Sequence, residues 1–275
     1  MIVFIVPVKH PINSASYLHV WRLLNDTLYS ICGQKDAPFR VIVVCNRILP
    51  LFHSKELIAK QTEFISVKYD PISQTGMYGV RVDKGCKQIV GVLMAERYDP
   101  QYVMFVDADD FIGNDIALHT ASHPGCNGWI INKGFVMIAD KMRNLDAFGS
   151  FCGTSNIYAY HLLRKLIAPG ILIEDGRNEI LEKMDKYNLF YVFGSHKFAR
   201  EYGDKVNRPL SEFPGRSAVW NQSTGENHSS YAGTPSAFNE EQQRGDKNWR
   251  VITHDQRAYF SLPLPQQRLT VQEQI

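Results

Sequence analysis

The segment Val103-Met104-Phe105-Val106-Asp107-Ala108-Asp109-Asp110 sets three carboxylates at the end of a short apolar run. Alternate side chains of a strand point the same way, so Asp107 and Asp109 leave such a strand end on one face. Two carboxylates held side by side repel unless something cationic lies between them. A hard divalent ion, Mn²⁺ or Mg²⁺, that already carries phosphate oxygens meets that need. The pattern therefore points to a metal–diphosphate site and a nucleotide-linked ligand. A solvated acidic turn is the plainer alternative, because Asp is a common turn residue.

The flanking elements decide whether such a site can be built. Ile2–Val6 is a continuous apolar run that reads as a buried strand, ended by Pro7 and Pro11. Ser14 or Ser16 can cap a helix running to about Cys32, with Leu18, Trp21, Leu24, Leu28 and Ile31 at helical spacing. Phe39–Cys45 and Phe64–Tyr69 read as a second and third strand, ended by Asn46 and by Asp70-Pro71. Lys84–Arg97 reads as an amphipathic helix with Cys86, Ile89, Val90, Leu93 and Met94 on one face. Tyr102–Val106 is the fourth strand. This β-α-β order implies a mostly parallel sheet covered by helices. Ligands on such sheets sit beyond the carboxyl ends of the strands. The loops at Pro7–Pro11, Cys45-Asn46, Asp70 and Asp107–Asp110 can then line one crevice.

The second half is less regular. Gly128–Asn132 and Gly134–Ile138 look like strands joined by Lys133-Gly134. Cys152–Asn156 is a small polar segment before a helix of about Tyr158–Ile167. Its Thr154, Ser155 and Asn156 can wall a ligand site or cap that helix. Glu174–Tyr187 reads as a helix and Leu189–Phe193 as a strand. From about Gly233 the chain is polar and rich in Gln and Pro, a tail that wraps the domain or mediates association, with parts open to disorder. Trp249, Val251, Ile252, Tyr259, Phe260, Leu262 and Leu264 suggest that some of it docks.

Bulk properties narrow the class. A chain of 275 residues that is 44% hydrophobic can bury one large α/β core, and a formal net charge of +2 gives no reason to expect nucleic acid. Five dispersed cysteines with no CxxC pair argue against a disulfide framework or zinc cluster and fit a reducing cytosol. The apolar N-terminus is short and lacks a basic region, so it does not read as a signal peptide. No stretch approaches the ~20 apolar residues of a membrane span. Peripheral membrane contact stays open, as does a homodimer formed through the tail.

With the four elements in this order, the chain resembles the GT-A glycosyltransferases, and within them the family 2 type. The matching segments are Ile2-Val3-Phe4-Ile5-Val6-Pro7-Val8, Val41-Ile42-Val43-Val44-Cys45-Asn46, the helix after Asp83-Lys84-Gly85, and Phe105-Val106-Asp107-Ala108-Asp109-Asp110. The resemblance implies a GT-A-like (Rossmann-like) α/β fold with an irregular polar C-terminal extension. It divides the chain into a nucleotide-sugar half (residues 1–120), an acceptor-binding and catalytic half of the same domain (121–232) and an extension (233–275). It further implies a nucleoside-diphosphate sugar donor, UDP favoured, and a hydroxyl acceptor such as a glycan. Pro7, Val8, Asn46 and Asp70 would face base and ribose. Asp83, Lys84 and Lys87 would approach the nucleotide, with Lys84 near a helix N-terminus beside the diphosphate. Asp107 and Asp109, the Asp-x-Asp element, would bind metal and diphosphate.

Two places depart from the family pattern. The Glu-Asp pair that usually carries the base is followed by an aromatic in the family, whereas Glu174-Asp175 is followed by Gly176-Arg177-Asn178. Asp175 can act as that base or cap the next helix, with Glu179 a second candidate. A histidine near the end of the catalytic domain is a further metal ligand in several GT-A enzymes, and His228 and His196 compete for that place against an ordinary structural role. Two other readings remain. A nucleotidylyltransferase usually has a Gly-rich, Arg-containing loop after the first strand, and Pro7–Asn13 contains no glycine. A non-catalytic nucleotide- or sugar-binding relative is the other.

Overall fold

The computed structural model describes residues 1–72, 77–196, 203, 207–222, 224–226 and 248–263. Strand β1 (Ile2–Pro7) lies between β2 (Phe39–Cys45) and β4 (Tyr102–Phe105), parallel to both, and β3 (Thr62–Ser66) continues the parallel array beyond β2. The register pairs Pro7 with Val44 and Ile5 with Phe105, so the carboxyl ends of β1, β2 and β4 open on the same edge. Beyond β4 the sheet adds an antiparallel strand β9 (Asn156–Ala159), then β6 (Gly128–Ile130) and β10 (Ser211–Glu212), which makes seven strands among the described residues. The expected α/β architecture, a mostly parallel central sheet flanked by helices, is therefore present.

Both faces of this sheet are covered, which explains why β1 and β2 are apolar without alternation. Ile2, Phe4 and Val6 pack toward Trp21, Leu24, Leu28 and Ile31 of α1 (Tyr17–Cys32). Val3 and Ile5 pack on the other side toward Cys86, Ile89, Val90 and Leu93 of α3 (Met77–Ala95), backed by α5 (Tyr160–Arg164) and α6 (Arg177–Lys183). Gly91 on α3 lets the helix approach Ile5 closely. Ser16 caps α1, its side chain accepting from the His19 backbone N–H, which settles between the two candidate serines. A short α2 (Lys55–Gln61) precedes β3.

A second sheet stands beside the first, in the order β12 (Arg250–Val251), β8 (Lys141–Asp146), β7 (Lys133–Ile138), β11 (Ala218–Asn221), β5 (Phe111–Ile112). The acidic run is the crossing between the sheets, since β4 ends just before it and β5 starts just after it. A short α4 (Ile116–Ser122) follows β5. Part of the tail docks here. Beyond β12, helix α7 (His254–Tyr259) carries a capping box on Thr253 and Gln256, and Ile252, Phe260 and Leu262 are buried against Phe111, Met137 and Val219. Leu264 and the stretches 233–247 and 264–275 lie outside the described residues.

Several expectations are corrected. α3 begins at Met77, so Asp83 and Lys84 lie within the helix and not before it, and Lys84 is not at a helix N-terminus. The third strand is shifted to Thr62–Ser66. Leu189–Phe193 is not a strand but part of a wide helical turn over Asn188–Phe193, closed by a Gly194 N–H bond to the Leu189 carbonyl. Gly85 explains that packing, because a Cβ there would stand 2.9 Å from Leu189 Cδ1 and from the Leu189 carbonyl oxygen. Gly128–Ile130 and Lys133–Ile138 are strands, but they belong to different sheets and do not pair. Asn156–Ala159 is a strand where a helix start was expected, and the helices after it are shorter, at Tyr160–Arg164 and Arg177–Lys183.

Gly128 opens β6 at φ 131°, and a Cβ there would lie 2.1 Å from the Ile157 carbonyl oxygen of the paired strand. Backbone cannot yield as a side chain can. Gly128→Ala is therefore expected to lower the unfolding free energy by about 2–3 kcal/mol, read from urea titration. An unchanged midpoint would contradict this placement of β6.

Candidate functional site

A cleft of about 590 Å³ opens beyond the carboxyl ends of β1 and β4. Its walls include the loop after β1, one face of α3, the acidic run, the 151–153 segment with Trp220 of β11, the 194–196 turn and Glu226. On α3, Asp83 and Lys84 each fall three or four residues from both Val80 and Lys87, so the four share the face turned to the cleft.

Each of the three carboxylates has its own surroundings. Asp107 is paired with Lys84 and lines the cleft. Burial, and next the charge of Asp107, push Asp109 up to about 7. Asp109 also accepts from Thr224 Oγ1 at 3.3 Å. Asp110 turns inward and is 1% exposed. One of its oxygens accepts from Thr154 Oγ1 at 2.6 Å and Cys152 Sγ at 3.0 Å, and the other from the Asn221 backbone N–H at 3.1 Å. Burial, then repulsion from Asp109 and Asp107, raises its pKa well above the usual carboxylate range. Thr154 also accepts from the Asp107 backbone N–H at 2.9 Å. The buried carboxyl thus ties together the acidic turn, the 152–154 loop and β11.

The lysines divide in the same way. Lys87 is fully buried, donating to the Val8 carbonyl and to Asp83 Oδ2, both at 2.7 Å. Asp83 Oδ1 meets Arg177 at 3.3 Å, and Arg177 also donates to the Asp70 carbonyl at 2.7 Å. Burial draws Lys87 below the usual lysine value. Lys84 keeps 24% of its side chain exposed. Burial disfavours its charge, but Asp107 outweighs this and holds its pKa above the ordinary value. Gly153 allows this pair to sit against the loop, since a Cβ there would lie 2.3 Å from Asp107 Oδ2 and 2.7 Å from Lys84 Nζ.

A strap closes one side of the cleft. Glu226 accepts from Lys9 at 2.9 Å through one oxygen and from the Ser16 backbone N–H at 2.8 Å through the other. The Thr224 carbonyl pairs with His19 Nε2 at 2.7 Å. The 224–226 segment therefore links the start of α1 to Asp109.

Of the residues expected at the site, Pro7, Val8, Asp83, Lys84, Lys87, Asp107, Asp109 and His196 line this cleft. Asn46 and Asp70 do not. The Asn46 amide is spent on the carbonyls of Val67 at 3.2 Å and Tyr69 at 3.0 Å, and Asp70 contributes its carbonyl to Arg177. Both brace the strand-end loops behind the wall. Asp175 also stands outside the lining, with one carboxylate oxygen accepting from Lys183 at 2.7 Å and from the Leu172 N–H at 2.9 Å. The Lys183 hydrogen bond, then that of Leu172, lowers its pKa. It does not cap α6, whose N-cap is Gly176. Glu179 folds back against Gly176, in the first turn of the same helix. Thr154, Ser155 and Asn156 are buried behind the wall, and Asn156 donates to the His196 carbonyl. His228 lies outside the described residues. Lys9 and His10 line it within the expected Pro7–Pro11 loop and Gly153 within the Cys152–Asn156 segment, while Phe151, Trp220 and Glu226 also line it and carry no sequence signal of their own.

Among the described residues no three His, Cys, Asp or Glu side chains converge as a closed metal cage. Asp107 and Asp109 together still suit a hard cation. Both are oxygen donors on a cleft wall, and the charge of Asp107 adds to burial in disfavouring the ionised form of Asp109, a cost that a cation between them would relieve. Two carboxylates leave most coordination positions for water and phosphate oxygens, as is usual for Mg²⁺ beside a nucleotide. No helix among the described residues is long and apolar enough to cross a membrane.

No protein-family model and no curated protein sequence matches this chain. Solved structures do resemble it in shape. The 1–349 portion of S. aureus TarS in complex with UDP-GlcNAc is 15% identical over 83% of this chain and 60% of that one, with a TM-score of 0.48. The same portion described without that ligand is 15% identical over 80% of this chain and 60% of that one, with a TM-score of 0.46. A 4-diphosphocytidyl-2C-methyl-D-erythritol synthase from Anaerococcus prevotii DSM 20548 is 11% identical over 82% and 88%, with a TM-score of 0.39. The chain spans about 60% of the length of the two TarS structures.

The two lysines give the site a testable asymmetry. Lys87→Ala leaves a buried carboxylate and a buried carbonyl without their shared donor, and is expected to cost about 3 kcal/mol or more. Lys84→Ala removes a partly exposed pair and is expected to cost less than about 1 kcal/mol. Thermal or urea unfolding of the two variants checks this, and equal losses would contradict it.

Proposed function

We propose that this chain transfers a sugar from a nucleoside diphosphate, UDP favoured, to a hydroxyl acceptor, with Mn²⁺ or Mg²⁺ held by Asp107 and Asp109. The observation that carries the reading is the meeting of these two carboxylates with Lys84 in one cleft at the carboxyl ends of parallel strands. A cation bound there would supply charge stabilisation to the departing diphosphate. Lys84 stands beside Asp107 and would add its own positive charge to the same phosphates. Lys87 is occupied with Asp83 and the Val8 carbonyl, so its part is to hold the β1 loop against α3. Pro7, Val8 and His10 then form a firm wall for the nucleoside.

Asp175 and Glu179 are assigned no proton transfer in this reading. Asp175 is spent on Lys183, and its lowered pKa makes it a weak base. His196, on the cleft wall, is retained as a contact to donor or acceptor. The acceptor proton leaves either to a cleft group or to the departing phosphate, and product stereochemistry distinguishes these.

Calorimetric titration of UDP and GDP, with and without Mn²⁺, tests the reading. Metal-dependent binding is expected in the wild type, weakened by at least about tenfold in Asp109→Ala, or about 1.4 kcal/mol. No binding of either nucleotide to the folded protein would overturn the donor assignment. Binding without turnover of any donor sugar would leave a non-catalytic relative. Gly153→Ala places a methyl against the Lys84–Asp107 pair, whose flexible ends can move aside. It is expected to change stability by less than about 1 kcal/mol while weakening nucleotide binding. Unchanged affinity would show that the pair does not contact the ligand.

A further inference from the structure

Phe151 and Trp220 face the same cleft as Asp107 and Asp109, yet the donor site described above makes no use of them. Their rings are near parallel, 21° apart, with centroids separated by 6.4 Å. Phe151 is 45% exposed, a large apolar ring left in solvent on the cleft wall. The two rings come from distant parts of the chain, but one buried group fixes both. Phe151 immediately precedes Cys152, and Trp220 immediately precedes Asn221. Cys152 Sγ and the Asn221 backbone N–H both donate to Asp110. Asp110 adjoins Asp109, so the ring pair is held in a fixed relation to the two carboxylates assigned to the cation.

We propose that Phe151 and Trp220 form a stacking platform for a pyranose ring of the acceptor, an inference that rests on the transferase reading. Aromatic faces bind the C–H faces of a sugar ring, a surface that is apolar in the middle and polar at its edge. The cleft lining around the two rings mixes polar and apolar side chains, which matches the two characters of such a ring.

Saturation-transfer NMR on the full chain tests this, with methyl β-D-glucopyranoside, methyl β-D-galactopyranoside and methyl N-acetyl-β-D-glucosaminide as probes. Ring C–H signals are expected for at least one probe. They are expected to fall by about three- to tenfold in Phe151→Leu and in Trp220→Leu, matching the stacking contribution of one ring. The Leu variants keep apolar volume without an aromatic face, and circular dichroism checks their fold. Phe151→Tyr keeps the face and is expected to retain binding. In parallel, UDP titration with Mn²⁺ is expected to give the wild-type affinity for both Leu variants. No probe signal in the wild type, or signals that persist in both Leu variants, would overturn the proposal. Lost UDP affinity in the Leu variants would also overturn it, by assigning the rings to the nucleobase. Failure of the donor reading is separate, since it appears as absent UDP binding in the wild type.

Discussion

Three carboxylates within four residues cannot all be ionised, buried and left without partners. The structure answers by giving each a different environment. Asp107 takes the Lys84 ammonium, Asp109 is pushed up to about 7 by burial and by Asp107, and Asp110 is enclosed by three donors. Much of the site follows from this division. The inward turn of Asp110 fixes the 152–154 loop and β11, and these bring Gly153 and Trp220 to the cleft. Asp107 and Asp109 are left on the cleft wall, half-buried, where a cation that enters can meet both.

The sheet makes this division possible. β1, β2 and β4 run parallel with both faces covered, so their carboxyl ends can meet a ligand without exposing core. The Lys87–Asp83–Arg177 chain of charges then anchors α3 to the β1 loop and to the Asp70 carbonyl. A buried network of this kind is costly to break, which suits a wall that must keep its shape. Lys84, on the same helix face but partly exposed, is the member that can change partners.

The sequence made some of this legible because local chemistry and tertiary packing agree there. The apolar runs Ile2–Val6, Phe39–Cys45 and Tyr102–Val106 are strands because both faces are buried, and Ser16 caps α1 as a serine before an apolar periodic run should. Other elements were hidden by competing signals. Gly79 and Gly85 depress helix propensity at the start of α3, yet Val82, Cys86 and Ile89 bury its face and carry the helix back to Met77. Leu189–Phe193 is a short apolar run, where periodicity does not separate strand from helix. The β7–β8 hairpin turns through Ala139 at φ 53°, without the Asn or Gly that usually marks such a turn. The partners of Asp110 were invisible for a different reason: Asn221 lies 111 residues away, and no spacing rule joins them.

In the proposed function, Asp107 and Asp109 hold a divalent ion against a nucleoside diphosphate. The most direct test is a crystal structure of the protein with UDP and Mn²⁺, with anomalous scattering used to locate the metal. A manganese peak in contact with both carboxylates is expected, with diphosphate oxygens on the metal and beside Lys84. A nucleotide bound elsewhere, or one bound in this cleft with no metal at Asp107 and Asp109, would contradict it.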